Sequence, residues 1–140
     1  MQRIIYLLLL AGYLMVACRT GKNGEQAPDR HLLFGNGGGV TGEVITYTLH
    51  ADGGLTRTSS RTKESEKIGS VSREKAAGLF EEAQKKLAAT PQFNHPGNRF
   101  YFVKLQDGKA AQNATWGDNN HAAPAGLENL YDQLIALIRQ

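Results

Sequence analysis

Two Asp-Gly dipeptides, Asp52-Gly53 and Asp107-Gly108, constrain the fold of this chain more than any other feature. Each is flanked by segments with strand character, and a two-residue Asp-Gly turn supplies the positive φ angles that join neighbouring antiparallel strands. Before the first turn, Glu43 to His50 is rich in β-branched residues and alternates. Ile45, Tyr47 and Leu49 share one face, and Val44, Thr46, Thr48 and His50 share the other. Leu55 to Ser60 reads as a polar return strand at an edge, and Glu66 to Ser70 as a short third strand. Around the second turn, Phe100 to Gln106 pairs with Lys109 to Trp116. Phe100-Tyr101-Phe102-Val103 is apolar on both faces, as in a central strand. Its expected inward residues are Tyr101, Val103 and Leu105.

Two helices complete the pattern. Ser72 caps the first, Glu74 lies in its positive first turn, and Ala76, Leu79, Phe80, Ala83 and Leu87 recur at helical spacing. Pro91 ends it. Pro124 suits the first turn of the second, whose apolar stripe is Leu127, Leu130, Leu134, Leu137 and Ile138, widened by Tyr131 and Ile135. The expected fold is α+β, in the order β-β-(β)-α-β-β-α. An antiparallel sheet of four to five strands carries both helices on one face. Leu79, Phe80, Leu130 and Leu134 are expected to pack on Ile45, Tyr47, Val103 and Leu105. Residues 32–140 are the length of a single domain with one modest core. The chain has one cysteine, so no intramolecular disulfide is available and packing alone must hold the fold.

That cysteine is Cys18, and it closes a distinctive N-terminus. Arg3 gives a short positive region, Ile4 to Val16 is almost unbroken apolar sequence, and Met15-Val16-Ala17-Cys18 leads abruptly into polar Arg19 to Gly24. This is a secretory signal layout. An uncleaved anchor would need about 20 apolar residues, more than the run supplies. With the cysteine at the cleavage point, the segment resembles a bacterial lipoprotein signal peptide. The resemblance implies a signal peptide over residues 1–17, cleavage between Ala17 and Cys18, and acylation of Cys18. Met15 departs from the leucine preferred in that family. Arg19 is not the aspartate that retains lipoproteins in the inner membrane. The implied location is therefore the outer membrane, facing the periplasm. Residues 18–31 are polar and read as a flexible tether.

The domain itself is similar to small bacterial periplasmic lipoproteins of unknown function. The matching features are Val44 to Leu49, Asp52-Gly53, Ile68 to Ser72, Phe102 to Lys109 and the Pro124-led Leu127-Leu130-Leu134 helix. This resemblance implies a compact α+β domain and supplies no catalytic residue.

Several function classes lose support. The surplus of 16 Lys+Arg over 13 Asp+Glu is small and mixed along the chain, which gives no argument for nucleic acid. The run Gly35 to Gly39 lacks the lysine and following helix of a phosphate loop, so no nucleotide is expected. It reads as a flexible arm or the bulged start of a strand. No serine sits in a nucleophile elbow. Asn113-Ala114-Thr115 is a chance sequon in a strand.

The four histidines show no metal spacing, and no cofactor or metal is expected. His95, Asp118 and His121 lie in loops flanking the second hairpin and form a candidate surface site. The plainer reading is solvated loop imidazoles. Trp116, Phe100 and Phe102 are either a recognition patch or packing beneath the helices, with burial favoured for Trp116. The expected function is a lipid-anchored binding or interaction module without catalytic activity. It would meet an envelope protein or cell-wall partner through the open sheet face or an edge strand. The alternatives are an envelope hydrolase using the loop histidines and a small enzyme inhibitor presenting Gln92 to Asn98.

Overall fold

Leu32 and Phe34 alternate with Leu33 and Gly35, and that alternation belongs to a strand at the centre of the sheet. The computed structural model describes residues 29–139. The expected signal peptide, Cys18 and the expected tether up to residue 28 lie outside the described residues. The strands are β1 (Arg30–Gly38), β2 (Val44–His50), β3 (Gly54–Ser59) and β4 (Ser65–Ser70), followed by helix α1 (Arg73–Ala89). Strands β5 (Arg99–Asp107) and β6 (Ala110–Trp116) and helix α2 (Ala125–Leu137) follow. The sheet has six strands in the order β4-β3-β2-β1-β5-β6, and every neighbouring pair is antiparallel.

The sheet thus exceeds the four to five strands expected, and the extra strand is β1. Its first two residues, Arg30 and His31, fall in the segment expected to be tether, and its last four, Gly35 to Gly38, in the run expected to be either an arm or the bulged start of a strand. Gly35 and Gly37 have a steric reason to lack side chains. A Cβ on Gly35 would strike the Ile45 carbonyl oxygen and lie 3.2 Å from the Phe102 ring. A Cβ on Gly37 would lie 2.7 Å from the Phe100 ring and 2.8 Å from a Val44 methyl carbon. Phe102 is paired with Gly35 and Phe100 with Gly37. The two aromatic rings fill the space that β1 leaves empty on the face away from the helices. They do not pack beneath the helices.

Both helices cover the other face. Ser72 Oγ accepts from the Lys75 amide at 3.2 Å, which caps α1. Its stripe of Ala76, Leu79, Phe80, Ala83 and Leu87 is buried, as is the α2 stripe of Leu127, Leu130, Tyr131, Leu134 and Leu137. They meet Leu32, Phe34, Leu49, Leu55, Val103, Leu105, Ala114 and Trp116 from the sheet. Val103 and Leu105 take the inward places expected, and Tyr47 packs at the margin of the core. Ile45 does not join it. It lies opposite Asn36 at the end of the sheet that the helices leave open.

Candidate functional site

The loop before β5 and the loop after β6 are stitched together by main-chain bonds. Thr115 donates to the Phe93 carbonyl at 2.8 Å, His95 donates to the Thr115 carbonyl at 2.9 Å, and Asp118 donates to the His95 carbonyl at 3.1 Å. Gly97 and Gly117 let the strands of this junction approach closely. A Cβ on Gly97 would collide with the Gly117 carbonyl, and one on Gly117 with the Arg99 carbonyl. Gly117 also has φ 143°, a conformation that favours glycine.

This stitching brings His95, Asp118 and His121 together. The imidazoles of His95 and His121 stack with centroids 3.8 Å apart and planes 9° apart. Phe93 braces His95 edge-on at 4.9 Å. His121 Nδ1 lies 2.6 Å from Asp118 Oδ2. Asp118 Oδ1 accepts from the Asn120 amide at 3.1 Å. The His121 contact first, and the Asn120 amide second, hold the Asp118 carboxyl below its ordinary value. One donor atom from each of the three residues lies within 4.8 Å of the others. The side chains of His121 and Asp118 are 49% and 30% exposed, so the group sits on the surface and not in a deep pocket. The remaining histidines lie elsewhere. His31 and His50 meet edge-on at 5.1 Å, with His31 Nε2 2.9 Å from Asp29 Oδ1.

A second site arises from what α2 leaves uncovered. The inward row of β1 runs Leu32, Phe34, Asn36. The first two have no exposure, while Asn36 is open to solvent. Asn36 pairs with Tyr101, and Tyr101 pairs with Trp116. Tyr131 of α2 meets Tyr101 and Trp116 edge-on, with centroids 5.5 Å away in each case. These four side chains belong to a cavity of about 520 Å³ rimmed by Glu128, Asp132 and Arg139. Trp116 is buried at 6% exposure, as expected, whereas Tyr101 is 39% exposed. Burial pushes the Tyr131 hydroxyl above its ordinary value, and the neighbouring Asn36 side chain opposes that shift. A second hollow of about 330 Å³ shares Asn36 and Tyr101 and continues past Gly37 and Gly38 to Glu43 and Arg99. Together they form a groove round the open end of β1.

The histidine group is visible in the sequence as loop residues flanking one hairpin, and this groove is not. Asn36 lies inside a glycine run, and in sequence Tyr131 only widens the α2 stripe. Once β1 is recognised as a strand, the period of two puts Asn36 on the same face as Leu32 and Phe34. No protein-family model matches the chain, and no curated protein matches its sequence. Among the described residues, no helix is long and apolar enough to cross a membrane.

Proposed function

We propose that this chain is a binding module of the bacterial cell envelope, anchored through an acylated Cys18 in the outer membrane and facing the periplasm. Its groove over Asn36 and Tyr101 takes a carbohydrate segment of a cell-wall or envelope component. The observation that carries the reading is the exposed Tyr101 ring beside Asn36, with Glu128, Asp132 and Arg139 at the rim. The apolar C–H face of a sugar ring packs on an aromatic ring, and its hydroxyls pair with amide, carboxylate and guanidinium groups. Those rim groups offer hydroxyls polar partners that an apolar peptide or lipid has no groups to use. The groove replaces the open sheet face as the preferred contact surface, because Phe100 and Phe102 on that face are engaged in covering glycines.

Trp116 is the single tryptophan of the chain and lines the groove, so its fluorescence reports occupancy. Oligomers of N-acetylglucosamine should shift Trp116 emission saturably, and Tyr101→Ala should abolish the shift. An unchanged spectrum with these oligomers and with solubilised wall fragments would refute the carbohydrate reading. The anchor has its own test. Protein from cells should carry acyl mass on Cys18, and Cys18→Ser should release it to the soluble fraction, because stable anchoring needs more than one chain.

The convergence of His95, Asp118 and His121 favours the hydrolase as second reading. A side-chain nucleophile is what it lacks. Among the described residues, no serine or threonine hydroxyl bonds to either imidazole, and Asp118 is the side-chain partner of His121. The binding module therefore keeps precedence.

A further inference from the structure

We infer that His95, Asp118 and His121 form a binding site for one divalent transition-metal ion of the zinc type. The inference does not depend on the carbohydrate reading. Its basis is geometric. Three donor-bearing side chains from two loops, more than twenty positions apart in sequence, bring ligand atoms within 4.8 Å of one another. The metal-ligand bonds of such an ion, about 2.0–2.2 Å, place neighbouring donors roughly 3–3.5 Å apart. The 2.6 Å contact between His121 Nδ1 and Asp118 Oδ2 must open by under an ångström, and the widest separation must close by somewhat more. Both adjustments are side-chain rotations, and they open the parallel stack of His95 on His121 so that the in-plane nitrogen lone pairs can converge on one ion.

The backbone beneath needs no change. Main-chain bonds from His95 to Thr115, from Asp118 to His95 and from His121 to Asp118 fix the three Cα positions without any ion. Part of the ordering entropy of the site is therefore met by the fold. Phe93 holds the His95 ring from the side, and the Asn120 amide orients Asp118. The hydrogen bond to the Asp118 carboxylate is a supporting contact of the kind that metal-ligating carboxylates have.

The donor set selects the ion. Two imidazoles and one carboxylate suit zinc, nickel, copper or cobalt, and they disfavour calcium and magnesium, which take oxygen ligands. Three protein ligands at a solvent-facing site leave a position for water or for a ligand atom of a partner. The His31–His50 pair serves as an internal comparison. It has two imidazoles near Asp29, yet it does not gather three donors within the same span.

The test is titration of the full chain, purified in detergent, with zinc(II) by calorimetry and with cobalt(II) by visible absorption. The expected result is one ion per chain, with cobalt bands of mixed nitrogen and oxygen ligation. His95→Gln, His121→Gln and Asp118→Asn should each weaken binding by about 10-fold or more. His31→Gln and His50→Gln should leave it unchanged. Without metal, the three site variants should melt within a degree or two of the parent, because their side chains are exposed or half-exposed. Zinc should raise the melting temperature of the parent and not that of the double variant His95→Gln/His121→Gln. Absence of stoichiometric binding would overturn the inference, as would binding that survives the double variant or disappears with His31→Gln.

Discussion

At the scale of single residues, the chain shows how a missing side chain specifies structure. Gly35 has no space for a methyl group, because the Ile45 carbonyl occupies the place and Phe102 closes the other side. Gly69, on edge strand β4, has open space where its Cβ would stand. The pair predicts opposite outcomes for the same substitution. Gly35→Ala should destabilise the domain by about 1–3 kcal/mol or more, through forced separation of β1 from β2. Gly69→Ala should fall within about 0.5 kcal/mol of the parent, the range of surface substitutions. Urea denaturation of the two variants checks both, and equal losses would show that β1 yields where it is described as tight. The candidate metal site was legible only in part at this scale. Asp118 and His121 are neighbours in sequence, and their contact follows from a local turn. That His95 would stack on His121 depends on the pairing of Asn94 with Thr115, which no local pattern encodes.

At the scale of elements, helices and hairpins were legible where one physical signal dominated. For α1 it was the Ser72 cap with a stripe of period 3.6, and for β5 and β6 it was Asp107-Gly108, although the turn falls one residue later, on Gly108 and Lys109, because Asp107 still pairs with Ala110 as the last residue of β5. Strand β1 was not legible, because glycine is depleted in strands and so many glycines in one short run read as chain flexibility. The rings that make those glycines favourable, Phe100 and Phe102, lie more than sixty positions away, beyond any window of sequence. Helix α2 shows the converse case, a strong local signal that tertiary packing uses in full. Leu130 lies at the centre of its stripe with no exposure, within the core shared by the helices and the sheet. Leu130→Ala should cost about 2–5 kcal/mol, a large share of the stability of a small domain. Chemical denaturation measures this directly, and a loss below about half a kcal/mol would mark α2 as peripheral.

At the scale of the whole molecule, β1 decides whether there is one sheet or two fragments. Strands β2, β3 and β4 form a meander, and β5 and β6 form a hairpin. Neither group pairs with the other except through β1, which runs alongside β2 from His31 to Gly37 and alongside β5 from Arg30 to Gly38. The strand also delivers Leu32 and Phe34, two of the largest fully buried side chains, and Asn36, the polar residue of the groove. Removing it would expose two inner strand edges, each with a row of unpaired amides and carbonyls. It would also leave the helices facing a gap where those two side chains stood. A polypeptide beginning at Val40 should therefore show no cooperative thermal transition and should aggregate, although it retains both hairpin turns and both amphipathic helices. One beginning at Asp29 should melt as a single unit, since β1 and its ion pair between Arg30 and Asp107 are kept. The measurement is a calorimetric scan of the two fragments. A sharp, reversible transition in the shorter fragment would show that the meander and the hairpin can join without β1, and that the core lies elsewhere than between this strand and the two helices.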